Sequence, residues 1–200
     1  MIDHEIGGQR GCSRNSFLLV AAGTGTALVS GLVFARGESQ ATPSAEMDRR
    51  IFQFALLLEQ LQAAFYTEAV RRGALRGELR EFAETVGAHE RAHVAFLHKA
   101  LGTDAGSPPT FHFGDATRDE RRFGAAASEL ENIGVAAYNG QAAKLTGQAL
   151  TQAAEIVSVE GRHAAWINIL VGDAPAPRAA DPGLSSAAVM ARLRATGFVG

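Results

Sequence analysis

The sequence contains one short pattern twice, as Glu90–His93 (ERAH) and Glu160–His163 (EGRH). Each copy lies in a segment whose apolar residues recur with the spacing of an α-helix. Residues three apart on a helix share a face, so the glutamate and the histidine of each copy can point toward one centre. The repeated Glu-x-x-His pattern therefore predicts two helices that present carboxylate and imidazole groups to a common interior.

A further glutamate precedes each copy by roughly thirty residues, Glu59 in the first case and Glu131 in the second. A tyrosine follows each of these glutamates seven residues later, at Tyr66 and Tyr138. The order along the chain is Glu, Glu-x-x-His, Glu, Glu-x-x-His. Self-similarity of this kind indicates a duplicated structural unit. We expect each half to be a pair of helices.

Apolar periodicity and capping residues predict four long helices and no strands, over residues 44–70, 79–101, 119–145 and 148–170. Short connections within each half make its two helices antiparallel neighbours. Residues 102–117 include Pro108 and Pro109, which favours an extended crossover between the halves. Two antiparallel hairpins joined by one long crossover is the connectivity of ferritin-like four-helix bundles. The predicted fold is therefore an all-α bundle of this type.

The repeat predicts a metal site that takes six ligands from four helices: Glu59, Glu90, His93, Glu131, Glu160 and His163. An ionised carboxylate is rarely buried alone, because removing it from water costs several kcal/mol unless a cation compensates it. Two divalent cations would neutralise four carboxylates. Mixed oxygen and imidazole ligation suits iron first and manganese next, although zinc and copper can occupy such sites. Di-iron and di-manganese carboxylate bundles use this ligand set.

Tyr66 and Tyr138 lie two helical turns from the candidate ligands on the same face. They can donate hydrogen bonds to a carboxylate that binds metal, or they can simply pack in the core. Four further glutamates fall off the inward face by helical phase and are interpreted as solvated: Glu68, Glu84, Glu129 and Glu155. His98 and His112 have no counterpart in the repeat, and no role is assigned to them.

A competing motif overlaps the first copy, because His89 through His93 also reads as the H-E-x-x-H of zinc proteases. In that motif two histidines bind zinc and the glutamate acts as a general base. The second copy has Val159 where the first has His89, and no third zinc ligand is evident downstream. A protease is therefore disfavoured.

Residues 58–66, 89–97, 130–138 and 159–166 resemble the exported bacterial ferritin-like domain family, which is related to plant desiccation-associated proteins. The resemblance extends over about residues 44–171. It implies that Glu90 and Glu160 bridge two metals, that Glu59 and Glu131 are terminal ligands, and that each metal has one histidine. It does not imply a particular reaction.

Arg10 and Arg14 precede an uncharged apolar segment at residues 17–34, which is typical of an export signal. The signal at residues 1–35 is twin-arginine-like, with Asn15 in place of the second arginine, or a Sec signal. An uncleaved membrane anchor is the alternative.

The expected organisation continues with a linker at 36–43, the bundle at 44–171 and a C-terminal tail at 172–200 with a short helix after Ser185. The expected location is periplasmic or extracellular.

The expected function is redox chemistry of a di-metal centre with oxygen, peroxide or iron, as in a ferroxidase or a peroxide-disposing enzyme. The alternative is a non-catalytic stress or desiccation protein with a structural metal site or none. The net charge of −2 and the absence of a long basic run give no electrostatic reason to expect nucleic acid, or a membrane after signal cleavage. The predicted partners are metal ions with oxygen or peroxide, and a homo-oligomer is left open.

Overall fold

The computed structural model describes residues 42–199, which contain five α-helices. They are α1 (Ala45–Arg72), α2 (Gly77–Leu101), α3 (Glu120–Gln141), α4 (Gly147–Val171) and α5 (Ser186–Thr196). The first four form an all-α four-helix bundle, which confirms the predicted fold class. The predicted export signal and most of the predicted linker lie outside the described residues. Within residues 42–199, no helix has the length and apolar character needed to cross a membrane.

The helix ends follow local capping chemistry. The side chains of Ser44 and Asp119 accept hydrogen bonds from backbone amides in the first turns of α1 and α3. Gly73 and Gly172 end α1 and α4 in the left-handed conformation that glycine adopts without strain. Helix α3 ends earlier than the sequence predicted, at Gln141, because a 3-10 turn over Ala142–Lys144 replaces its last predicted turn.

Helices α1 and α2 form an antiparallel hairpin. The rings of Tyr66 and Phe82 are 5.8 Å apart near the short connection between the two helices. At the other end of the hairpin, Nε2 of Gln53 donates to the carbonyl of Asp104 over 2.9 Å. Residue numbers thus fall along α1 while they rise along α2. The hairpin therefore lays the inward faces of the two helices against each other over their full length.

Helices α3 and α4 form the second antiparallel hairpin. Oγ of Ser128 donates to Oδ1 of Asn168 over 2.9 Å. Further along α3, Gly134 lies against the carboxylate of Glu160. Because both hairpins run antiparallel, the glutamate of one helix comes level with the Glu-x-x-His pattern of its partner in each half.

An aromatic cluster around Phe65 attaches the crossover and the tail to the bundle. Phe65 of α1 stacks on Phe123 of α3, with ring centroids 5.4 Å apart. Phe113 of the crossover and Phe198 of the tail contact the same ring at 5.4 Å and 6.0 Å. Aromatic pairs at these distances add about 0.5–1.5 kcal/mol each beyond the apolar area that they bury. The crossover and the C-terminal tail are therefore both held against the face between α1 and α3.

The apolar core has two parts with a polar layer between them. One part includes Leu61, Phe65, Phe82, Phe123 and Ile167, and the other includes Phe52, Leu56, Leu97, Leu145 and Ile156. Along α4, Glu160 lies between Ile156 of one part and Ile167 of the other. The candidate ligands therefore occupy a layer that is enclosed along the bundle axis by apolar side chains.

Gly87 tests how closely α2 packs against α1, and Gly161 of α4 serves as the comparison. A Cβ atom at Gly87 would lie 2.9 Å from Cβ of Tyr66, whereas a Cβ at Gly161 would meet nothing within 4 Å. Alanine in place of helical glycine gains about 1 kcal/mol in helix propensity, while overpacking costs about 1–3 kcal/mol. We expect Gly161→Ala to raise the free energy of unfolding, and Gly87→Ala to be less stable than Gly161→Ala by about 2 kcal/mol. Urea denaturation followed by circular dichroism measures both, and equal stabilisation by the two changes would contradict the close approach.

Candidate metal centre

Four helices bring the six candidate ligands into one buried layer. Helix α1 supplies Glu59, α2 supplies Glu90 and His93, α3 supplies Glu131, and α4 supplies Glu160 and His163. Each of the four glutamates is at most 1% exposed to solvent. Four buried carboxylates without compensation would repel one another strongly, so the arrangement calls for protons or cations in the same layer.

His93 lies against three of these carboxylates. Its Nδ1 is 3.2 Å from Oε2 of Glu59, 3.2 Å from Oε2 of Glu90 and 3.1 Å from Oε1 of Glu160. These four residues can each offer one ligand atom such that all four atoms lie within 4.8 Å of one another. Their geometry allows a single cation to contact all four side chains.

His163 forms the corresponding group on the other side of the layer. Its Nδ1 is 3.1 Å from Oε1 of Glu90, 3.5 Å from Oε2 of Glu131 and 3.8 Å from Oε1 of Glu160. These four residues also offer ligand atoms within 4.8 Å of one another. The two groups share Glu90 and Glu160 and differ in the remaining glutamate and histidine. Each of the two overlapping groups could therefore hold a metal ion.

Several polar atoms in this layer are buried without a hydrogen-bond partner. They are Oε1 of Glu90, Oε2 of Glu131, both carboxylate oxygens of Glu160 and Nδ1 of His163. Buried polar atoms are nearly always hydrogen-bonded, because an unpaired one costs about 1–3 kcal/mol. All of these atoms belong to the six candidate ligands, and they face one another. The residues present therefore fit bound cations, which would contact these atoms.

Two tyrosines link the halves of the repeat. Tyr138 of α3 donates a hydrogen bond to Oε1 of Glu59 over 2.6 Å, and Tyr66 of α1 donates to Oε1 of Glu131. Each hairpin thus holds a carboxylate of the other hairpin. Both tyrosines are buried, so they have the packing role and the hydrogen-bonding role that the sequence left as alternatives. Hydrogen bonds of this kind orient a ligand's carboxylate and leave its second oxygen free for a metal.

Two polar residues near the centre were not identified from the sequence as part of it. Nε2 of Gln62 donates to Oε1 of Glu131 over 3.0 Å. Nδ1 of His89 lies 2.9 Å from Nε2 of His163, the ring nitrogen that faces away from the carboxylates. The position of Gln62, three residues after Glu59, could have signalled its inward direction. His89 was considered only as a zinc ligand of a protease motif, and it is absent from both groups of candidate ligands among the described residues.

Burial and mutual repulsion change the protonation of the cluster. Burial, followed by the nearby charge of Glu59, raises the pKa of Glu90 well above its usual value. Burial and the charges of Glu59 and Glu90 raise the pKa of Glu160 in the same way. Burial opposes the charged form of His93, but the close carboxylates of Glu160, Glu59 and Glu90 outweigh it and raise the pKa of His93 to about 12. Without a metal, the cluster therefore retains protons at neutral pH.

The remaining glutamates and histidines mostly follow the sequence interpretation. Glu84, Glu129 and Glu155 are exposed, as are the histidines without a repeat counterpart. Glu68 differs, because it is half-buried under the crossover and accepts a hydrogen bond of 2.8 Å from Thr117. Its carboxylate also pairs with Arg72 at 2.9 Å. The interpretation of Glu68 as solvated was wrong, since helical phase alone does not show where a loop will cover a helix.

An all-α bundle with a buried cluster of four carboxylates and two imidazoles that could hold metal defines a ferritin-like protein with a candidate di-metal centre. Residues 47–173 match the model of the ferritin-like domain family, and this match covers more than half of the chain. The chain belongs to the ferritin-like domain family. A comparison with curated proteins found no match.

The raised pKa values predict how the metal-free protein responds to pH. Protonated Glu90 and Glu160 contribute stability that is fully present below the unfolded pKa of 4.5 and is lost as pH rises through their higher folded values. His93 acts in the same direction above its unfolded pKa of 6.5. Burial acts to raise the pKa of Glu59, but hydrogen bonds with His93 and Glu90 outweigh it and lower this pKa. Glu59 therefore opposes the trend only at acidic pH, below its usual pKa. We therefore expect the melting temperature of metal-free protein to fall from about pH 5.5 to about pH 8.5.

The matched comparison for this pH dependence is Glu160→Gln against Glu155→Gln, since Glu155 is an exposed residue of the same helix. Glutamine cannot ionise, so Glu160→Gln should reduce the fall in melting temperature while Glu155→Gln should leave it as in the wild type. If the melting temperature fell equally with pH in all three proteins, the carboxyl group of Glu160 would not be the source of the pH dependence.

Proposed function

We propose that the protein binds two divalent transition metals, iron or manganese, in the polar layer of the bundle. One metal would be held by Glu59 and His93 and the other by Glu131 and His163, with Glu90 and Glu160 shared by both. The observation that carries this proposal is the pair of overlapping four-residue groups with two common glutamates. The unpartnered buried oxygens of Glu90, Glu131 and Glu160 support it independently.

The charges of the site agree with this stoichiometry. Four ionised carboxylates carry a total charge of −4, which two divalent cations balance. The desolvation penalty of a buried carboxylate is several kcal/mol, so the compensation is needed for all four residues in the same layer. The predominance of carboxylate oxygens, with one imidazole for each position, suits metals of intermediate hardness such as iron and manganese.

The chemistry proposed for the centre is redox chemistry with oxygen, peroxide or ferrous iron. Two such metals would supply the electron transfer. The protein supplies a buried layer between two apolar clusters, and Tyr66 and Tyr138 hold the carboxylates of Glu131 and Glu59 in place. The side chain of His93 is 12% exposed and that of His163 is 4% exposed. A small reactant would therefore approach most readily on the side of His93.

A structural metal site in a non-catalytic protein is the second candidate. It is favoured by the fact that ligands come from all four helices, so a bound metal would link both hairpins and add its binding free energy to the stability of the fold. This candidate requires metal binding but no turnover. The two functions are therefore separable by experiment.

Metal binding is tested by comparing Glu160→Gln with Glu155→Gln on the full chain. Glu160 would be shared by both metals, so its loss should weaken both positions at once, whereas Glu155 is exposed on the same helix. In the metal-free state Glu160→Gln should be at least as stable as the wild type at neutral pH, because glutamine resembles the protonated acid. Manganese should raise the melting temperature of the wild type and of Glu155→Gln, with little effect on Glu160→Gln. No response of the wild type to manganese or iron would refute the proposed centre.

Turnover separates the catalytic function from the structural one. Glu131→Gln should slow any peroxide consumption or ferrous oxidation by about 10-fold or more, since it removes a charged ligand, and even the loss of a residue that only supports a ligand costs about 10-fold. Glu129→Gln changes an exposed glutamate of the same helix and should match the wild type. Stopped-flow absorbance measures both reactions. Metal-loaded wild type that reacts no faster than free metal would favour the structural function.

A further inference from the structure

The two halves of the centre are surrounded differently, although the repeat makes their ligands equivalent. Gln62 and His89 of the first hairpin contact Glu131 and His163 of the second. At the equivalent positions of the second hairpin the chain has Gly134 and Val159, which have no side-chain hydrogen-bonding group. Gln62 and His89 of the first hairpin thus support ligands of the second, and the equivalent residues of the second hairpin cannot make the corresponding hydrogen bonds.

The contact between His89 and His163 has the geometry of a hydrogen bond. The two ring planes are 14° apart, and their centroids are separated by 5.2 Å. The nitrogens are only 2.9 Å apart, which is closer than parallel rings in face-to-face contact allow, at about 3.5 Å. The rings therefore meet edge to edge, as an N–H···N hydrogen bond requires.

The direction of this hydrogen bond follows from the ligand role of His163. Its Nδ1 faces the carboxylates and has no hydrogen-bond partner, so this nitrogen is the one that can bind a metal. A neutral imidazole that uses the Nδ1 lone pair carries its hydrogen on Nε2. Nε2 of His163 then donates to Nδ1 of His89, whose own hydrogen is then on its Nε2. Metal-ligating histidines generally depend on an acceptor of this kind to fix their tautomer and orientation.

His93 has no equivalent support among the described residues. Its Nδ1 faces the carboxylates in the same way, but none of the hydrogen bonds within residues 42–199 involves its Nε2. We propose that His89 is a positioning residue, which holds His163 ready to bind metal and thereby makes the Glu131–His163 position the tighter of the two. This inference rests on the proposed metal centre. His89, the first histidine of the H-E-x-x-H pattern, would then support a ligand on another helix and not bind metal itself.

Two substitutions separate the hydrogen bond from the shape of the side chain. His89→Asn keeps an acceptor oxygen near the place of Nδ1, whereas His89→Leu has a similar size and no acceptor. The control is His98→Leu, which changes an exposed histidine on the same helix whose only side-chain hydrogen-bond contact in the described structure is a 3.5 Å approach to Gln60. Zinc is the probe, because it binds such ligands and is diamagnetic. Calorimetric titration of the full chain gives the stoichiometry and both affinities.

We expect the wild type to bind two zinc ions with different affinities. His89→Leu should weaken the tighter position by about 10- to 100-fold and leave the other unchanged, which is the usual effect of losing such a partner. His89→Asn should restore most of the affinity, and His98→Leu should match the wild type. Equal weakening in the Asn and Leu variants, or no weakening in either, would overturn the role of His89 and leave the metal centre standing. A wild type that binds no metal would overturn the centre and this inference together.

A measurement on the wild type does not depend on the folding of any variant. Long-range proton–nitrogen NMR of the zinc-loaded protein reports which nitrogen of His163 carries hydrogen. We expect a protonated Nε2 of His163 with a scalar coupling across the hydrogen bond to Nδ1 of His89. A hydrogen on Nδ1 of His163, or the absence of this coupling, would contradict the proposed contact.

Discussion

The burial of four carboxylates in one layer is the constraint on which the rest of the molecule depends. Glu59, Glu90, Glu131 and Glu160 are each cut off from water, and each lies close to at least one other member of the set. Mutual repulsion at such distances in a low-dielectric interior is large enough to oppose folding, so the layer needs compensating positive charge. The bundle brings two imidazoles and two phenolic donors to this layer, and cations would supply the remaining charge. The apolar clusters on either side keep water from screening the interaction.

Duplication provides an economical way to build such a layer. Each hairpin contributes one glutamate helix and one Glu-x-x-His helix, and neither hairpin alone contains a complete group of ligands, because each group draws on both. The hydrogen bonds of Tyr66 and Tyr138 follow the same logic, since each runs from one hairpin to a carboxylate of the other. Association of the hairpins and assembly of the cluster are therefore one event. A cation that compensates the charge should favour the folded bundle for this reason.

Most of the fold and the composition of the cluster were predictable from sequence, and the reasons are local. Apolar periodicity and caps such as Ser44 and Gly73 define the helices, and the duplicated spacing identifies the glutamates and histidines that share a face. What spacing cannot give is the rotation of one hairpin against the other. Gln62 reaches a partner 69 residues away and His89 reaches one 74 residues away, so the spacing within their own helices does not identify either partner. Glu68 was misread for a related reason, since the crossover that covers it is irregular.

The differences between the two halves carry more functional information than the repeat itself. Equivalent ligands would give two equivalent metal positions if their surroundings were also equivalent, but Gln62 and His89 face one position while Gly134 and Val159 occupy the matching places. The half without this support also has the more exposed histidine, His93. His163 therefore has both a hydrogen-bonding partner and the lower exposure, whereas His93 has no such partner among the described residues and is the more exposed. If the centre binds two metals as proposed, the position with the supported histidine would hold its metal more tightly, and the position with the more exposed histidine would be the one open to exchange.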